Sequence, residues 1–166
     1  QRGDRIVHLF LLARSDGDPR PMAGEQLGDP PVDPAGAADD GLAEMSFGSW
    51  EDLTLAEASV EDPALFEAIF RRGQDLPRGG DGESFAEAGD RFRATLDALV
   101  ARNGHRSMGV VSHGAVIRAF TVGLAGLTFP ERNRIPVPRN SAMSRFVFTQ
   151  QGPALAAYNV APHLDR

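Results

Sequence analysis

Apolar residues first gather at positions 6–12 (IVHLFLL), a run broken only by His8, which is the pattern of a strand buried on both faces. A polar turn, Ala13-Arg14-Ser15-Asp16-Gly17, follows it. Positions 18–40 are rich in Pro, Gly, Asp and Ala and hold almost no large apolar side chains. That composition predicts loop, and a loop of such length is unusual in a compact domain. Residues 42–54 (LAEMSFGSWEDLT) have mixed character. Over 55–72, Ala64, Leu65, Ala68, Ile69 and Phe70 recur near helical spacing and predict a helix. Residues 78–82 (RGGDG) break the pattern.

The clearest helical signal starts at Ser84, with Glu87 three residues on, the signature of a capping box. Behind it Phe85, Ala88, Phe92, Leu96 and Leu99 make one apolar stripe, and Asn103-Gly104 closes the helix. Residues 108–112 (MGVVS) predict a second buried strand. His113-Gly114 follows, then an apolar helix from Ala115 to about Leu124. Residues 143–149 and 154–158 predict two strands joined at Gln150-Gln151-Gly152, a hairpin. Strand, polar turn and helix in succession mark an α/β fold, with one domain over residues 1–166 and no internal repeat.

Composition narrows the partners. The chain of 166 residues carries a formal net charge of −6 and a pI near 5.2, which opposes binding to nucleic acid. No run of 18 or more apolar residues occurs, so no membrane span is expected, and Gln1-Arg2-Gly3-Asp4 lacks the apolar core of a signal peptide. A cytoplasmic location is the expectation. With no cysteine, thiolate chemistry and disulfides are excluded. The four histidines, His8, His105, His113 and His163, show no metal-ligand spacing.

Three places could carry chemistry. His113 ends a buried strand just before Gly114 opens a helix, where amides and the helix dipole favour an anion; the plainer reading is a satisfied polar residue at a strand end. Glu44 stands near Phe47 and Trp50, where a carboxylate can serve as a general acid; the plainer reading is a solvated carboxylate beside core aromatics. Arg14 follows the first strand and could hold a phosphate with paired hydrogen bonds, or be a surface arginine.

Taken together, these segments resemble the histidine phosphatase superfamily, the phosphoglycerate mutase-like enzymes. The resemblance runs through residues 29–36 (DPPVDPAG), residues 42–54, and Gly82-Glu83-Ser84. It continues through Val111-Ser112-His113-Gly114 with Ile117-Arg118, then Asn159 and His163-Leu164. It implies a three-layer fold, a sheet flanked by helices, and chemistry that needs no metal or cofactor. In such enzymes a histidine directly after an arginine matching Arg14 attacks phosphorus. A second histidine, matching His113, helps two arginines hold the phosphoryl oxygens near the helix that Gly114 opens, and a glutamate matching Glu44 protonates the leaving oxygen.

Here the sequence departs from the pattern. Ser15 stands at the nucleophile's position, and a serine attacks only if a base takes its proton. Asp16 beside it would repel a dianionic phosphate by a few kcal/mol at roughly 4–6 Å and an effective dielectric of about 20. His8 lies six residues before Arg14 and reads as structural. Between Gly36 and Leu42 the helix, strand and Ser-Pro-x-x-Arg-Ala segment of the family are missing, and Arg118 reads as an ordinary helix residue rather than a replacement for the absent arginine. A sheet shortened in this way would leave an edge for a second copy or another partner to cover, so a homo-oligomer is one expectation. The functional expectation is a degenerate member that keeps a pocket around Arg14, Glu44 and His113 for a small anionic or phosphorylated molecule, or that turns Glu44 and His113 to a different acid–base reaction. The alternative is an active small-molecule phosphomonoesterase.

Overall fold

The computed structural model describes residues 7–14, 38–103 and 107–164. Strands β1 (Val7–Arg14), β2 (Met108–His113), β3 (Met143–Thr149) and β4 (Gly152–Val160) form one sheet in the order β2-β1-β3-β4. β1 runs parallel to β2 and antiparallel to β3, and β3 and β4 form the expected hairpin. Ala13 and Arg14, expected in a turn, belong to β1 because they pair with Ser112 and His113. The ladder, rather than the apolar run, sets where the strand stops. β4 likewise exceeds the expected 154–158, since Thr149 pairs with Gly152 across the two-residue turn at Gln150 and Gln151.

Helix α1 (Leu55–Glu61) and helix α2 (Pro63–Phe70) replace the single helix expected over 55–72. Pro63 lacks the N–H an interior helical residue must donate, so it tolerates only the first turn. Asp62 makes the break useful: it ends α1 and accepts the Leu65 amide at 3.0 Å as the cap of α2. Thr54 and Glu57 form a capping box on α1. Helix α2 leans on Trp50, whose ring lies 6.3 Å from Phe66 and 6.5 Å from Phe70.

Helix α3 (Phe85–Asn103) starts as expected, with Ser84 Oγ accepting from the Glu87 amide and Glu87 accepting from the Ser84 amide. Helix α4 (Gly114–Leu124) follows β2 without a break. A stack of rings joins the layers: Phe92 of α3 meets Phe120 of α4 at 5.8 Å, and Phe120 meets Phe146 of β3 at 5.0 Å. Leu11, Val110, Phe146 and Phe148 are buried in the same core, while Val111 and Arg145 are exposed. Each fully buried ring or leucine contributes about 1.5–3 kcal/mol of transfer free energy. No described helix is long and apolar enough to cross a membrane.

Candidate functional site

The site forms where β1 and β2 end together. In the parallel ladder Arg14 pairs with His113, so the last residue of β1 stands beside the residue that opens α4. The Arg14 side chain, Ser15, Asp16 and the 29–36 motif lie outside the described residues, as does His105. His113 is half-buried and takes the helix-cap position in extended conformation, with φ −108° and ψ 159°. Gly114 is buried under the following loop; a Cβ there would lie 3.3 Å from Val137 Cγ1, so a side chain would press that loop away.

The exposed amides at the start of a helix need acceptors. At α4 they come from Glu44, far away in the chain. Glu44 Oε1 accepts from the Val116 amide at 3.0 Å and from its neighbour Met45 at 2.8 Å, and Oε2 faces the Ala115 amide at 3.4 Å. Sequence reasoning set Glu44 against aromatic side chains. The structure sets it against amides, a surrounding that stabilises negative charge. Ser112 strengthens the same junction: its buried hydroxyl donates to the Leu42 carbonyl at 2.7 Å, fixing the segment that carries Glu44 against β2. Glu44 and His113 are thereby brought together at one end of one helix.

A second set of residues holds Glu44's segment from behind. Arg91 on α3 donates to the carbonyls of Gly41 at 2.9 Å, Ala43 at 3.1 Å and Glu44 at 3.1 Å. It also pairs side-on with Glu83, Nε to Oε1 at 2.7 Å and Nη2 to Oε2 at 2.8 Å. Glu83 in turn accepts the Ser46 amide at 2.9 Å, and its own amide donates to the Ser46 carbonyl at 2.9 Å. Arg91 holds the Glu83 carboxyl below the usual carboxylate range, and Glu83 raises the guanidinium. Gly48, between Glu44 and Trp50, has φ +56°, and a Cβ there would come within 2.4 Å of the Gly82 amide nitrogen, so only glycine fits.

Arg91 escaped sequence reasoning, although Glu83 was part of a recognised motif. The available signal was a carboxylate just before a capping box and an arginine about two helical turns on, on the same face. Arg118 does what was expected of an ordinary helix residue: it binds the carbonyls of Ile135 at 2.7 Å and Arg132 at 3.0 Å, tying down the loop after α4. His8 sits inside β1, opposite Val147. His163 lies in an exposed 3₁₀ turn, Pro162–Leu164. Asn159 accepts the Arg139 amide at 2.8 Å, fixing the stretch that leads from Val137 to β3. Among the described residues no group of three or more His, Asp or Glu side chains could hold a metal ion.

Comparison with known proteins gives the family. The family model of the histidine phosphatase superfamily (branch 1) matches residues 30–161. The chain is 33% identical over 78 residues to the metal-independent phosphoserine phosphatase of Arabidopsis thaliana, a stretch covering 47% of this chain and 33% of that protein. It is 31% identical over 116 residues to a probable phosphoglycerate mutase, GpmB, of Erwinia tasmaniensis, covering 70% of this chain and 53% of that one. Among solved structures, a mutant phosphoserine phosphatase from Entamoeba histolytica in complex with phosphoserine superposes with a TM-score of 0.64 at 25% identity, over 76% of this chain and 62% of that one. The matched stretches thus span between a fifth and about half of the curated relatives' lengths. With the motif residues Glu44, His113 and Gly114 meeting at one helix end and the match extending over most of the chain, this protein belongs to the histidine phosphatase superfamily.

Proposed function

We propose that this chain keeps the anion-binding site of its superfamily without the phosphohistidine chemistry. The observation that carries the reading is the pairing of Arg14 with His113. It sets the end of β1 beside His113, and the sequence there reads Arg14-Ser15, with serine rather than histidine after the motif arginine, which supports the reading. A hydroxyl needs a base to become a nucleophile, and Asp16 adds negative charge where a phosphate would be held. The remaining groups still suit an anion: the guanidinium of Arg14 and the imidazole of His113, beside a helix end whose Ala115 and Val116 amides Glu44 occupies. The ligand class is a small anionic or phosphorylated molecule, with Glu44 and His113 in place to exchange a proton with it.

One observation favours a second reading, an active small-molecule phosphomonoesterase. Glu44 bonds to Val116, three residues past His113, so a carboxyl group and an imidazole share one helix end as a phosphoryl-transfer site requires. Several relatives are named as phosphatases of phosphorylated small molecules.

Phosphate release from a panel of alkyl and aryl phosphomonoesters, beside a titration with inorganic phosphate, decides between them. The expected result is no release that depends on His113, and phosphate binding weakened about tenfold or more by His113→Ala, as loss of a charge-assisted bond implies. Ser15→Ala should leave that binding within about twofold, since no charge is removed. Turnover by the chain that disappears in His113→Ala overturns the first reading and establishes the second.

A further inference from the structure

We propose that Arg91 and Glu83 are positioning residues for the anion site, holding the Glu44 carboxylate on the amides of Ala115 and Val116 beside His113. The inference rests on the reading of that helix end as a ligand site. Its basis is the set of bonds the guanidinium makes. Arg91 spends three of its N–H groups on the carbonyls of Gly41, Ala43 and Glu44, and its remaining donors on the carboxylate of Glu83. Glu83 grips the other end of the same segment through both backbone groups around Ser46. Glu44 is thus held between fixed points on either side of it in the chain.

The location of this clamp gives it a role beyond stability. The backbone it fixes carries one functional side chain, and that side chain's carboxylate ends on α4, within three residues of His113. A guanidinium fork presents its donors in a rigid plane, so it fixes direction as well as distance; a lysine could replace the charge but not the plane. A carboxylate held on two helix amides has part of its charge offset there. Once released, it would face the ligand with its full charge. Arg91 and Glu83 thereby set how strongly Glu44 opposes an anion at His113.

A double-substitution cycle on the full chain tests this, with inorganic phosphate as the probe and backbone amide exchange at Ala115 and Val116 as a ligand-free readout. Arg91→Gln should speed exchange at Val116 by about tenfold, through loss of a charge-assisted bond, while amides of β3 keep their protection. Glu83→Gln, which keeps the shape and removes the charge, should do the same to a lesser degree. The effect of Glu44→Gln on the phosphate dissociation constant should differ at least about threefold between the wild-type and Arg91→Gln backgrounds, because coupled residues are not additive. Additive effects in a folded Arg91→Gln chain, or unchanged exchange at Val116 in both variants, overturn the proposal. If the wild-type chain binds no phosphate, the ligand-site reading fails by itself, and the exchange data still decide whether Arg91 and Glu83 place Glu44.

Discussion

Two strands end side by side in this sheet, and their ends differ. The end of β2 has the histidine and glycine expected from the resemblance, and Glu44 closes the helix that follows with bonds to Val116 and Ala115. The end of β1 brings Arg14 beside His113, and in the reading proposed above Ser15 follows where the family's nucleophile would stand. On that reading, the two halves of the site answer to separate demands. Glu44 satisfies helix amides that would otherwise be orphaned, and Arg91 satisfies three carbonyls, so the fold itself needs them.

The sharpest way to break the comparison is to remove the support that both ends share. Phe146 is fully buried and its ring meets Phe120 of α4 while its strand pairs with β1. Phe146→Ala should cost about 3–5 kcal/mol in denaturant titration, and both strand ends should loosen together. A loss below about 1 kcal/mol would mean the cavity collapses and the shared core is not what aligns them. Glu44→Ala acts on one end alone. It should cost about 1–2 kcal/mol, the range for removal of a helix cap, with the loss concentrated in amide protection at the start of α4. Equal loss of protection in β1 would show that the two ends are one unit after all.

The smallest effect is one of pH. Arg91 lowers the folded-state pKa of Glu83, so the pair's stabilisation is present above the ordinary glutamate value near 4.3 and is lost as pH falls through the lower folded value. Because both groups are partly exposed, the contribution should stay under about 1 kcal/mol. The stability gap between the wild-type chain and Glu83→Gln should therefore narrow from neutral pH to about pH 3. A gap constant across that range would show that Glu83 acts through shape rather than charge.

Much of this was legible in the sequence, for reasons that can be stated residue by residue. The capping box at Ser84 and Glu87 and the stripe behind it are local signals, and α3 follows them closely. His113 and Gly114 announced the strand-to-helix junction because a short polar turn between two apolar runs leaves few alternatives. Pro63 was a break signal that the surrounding apolar spacing concealed, and it divides α1 from α2. The Arg91 clamp could not be read in the same way. Its partners are backbone carbonyls, which every residue has, and they lie nearly fifty positions upstream. The amide bonds of Glu44 were hidden likewise, since nothing in a carboxylate's sequence neighbourhood says which distant helix it will cap.

The register of β1 has a further consequence, for the order of assembly. β3 and β4 close through a two-residue turn, the shortest loop a sheet permits. β1 has only remote partners: Leu9 pairs with Met108 on one side and with Phe146 on the other. Closing those long loops costs more chain entropy than any other pairing in the sheet, and β1 must enter between two strands that are already in place. Folding would then complete α4 and its neighbours first and bring Arg14 to His113 last. Arg14 thereby reports on the finished molecule: it stands beside His113 only once the first strand has joined partners far along the chain.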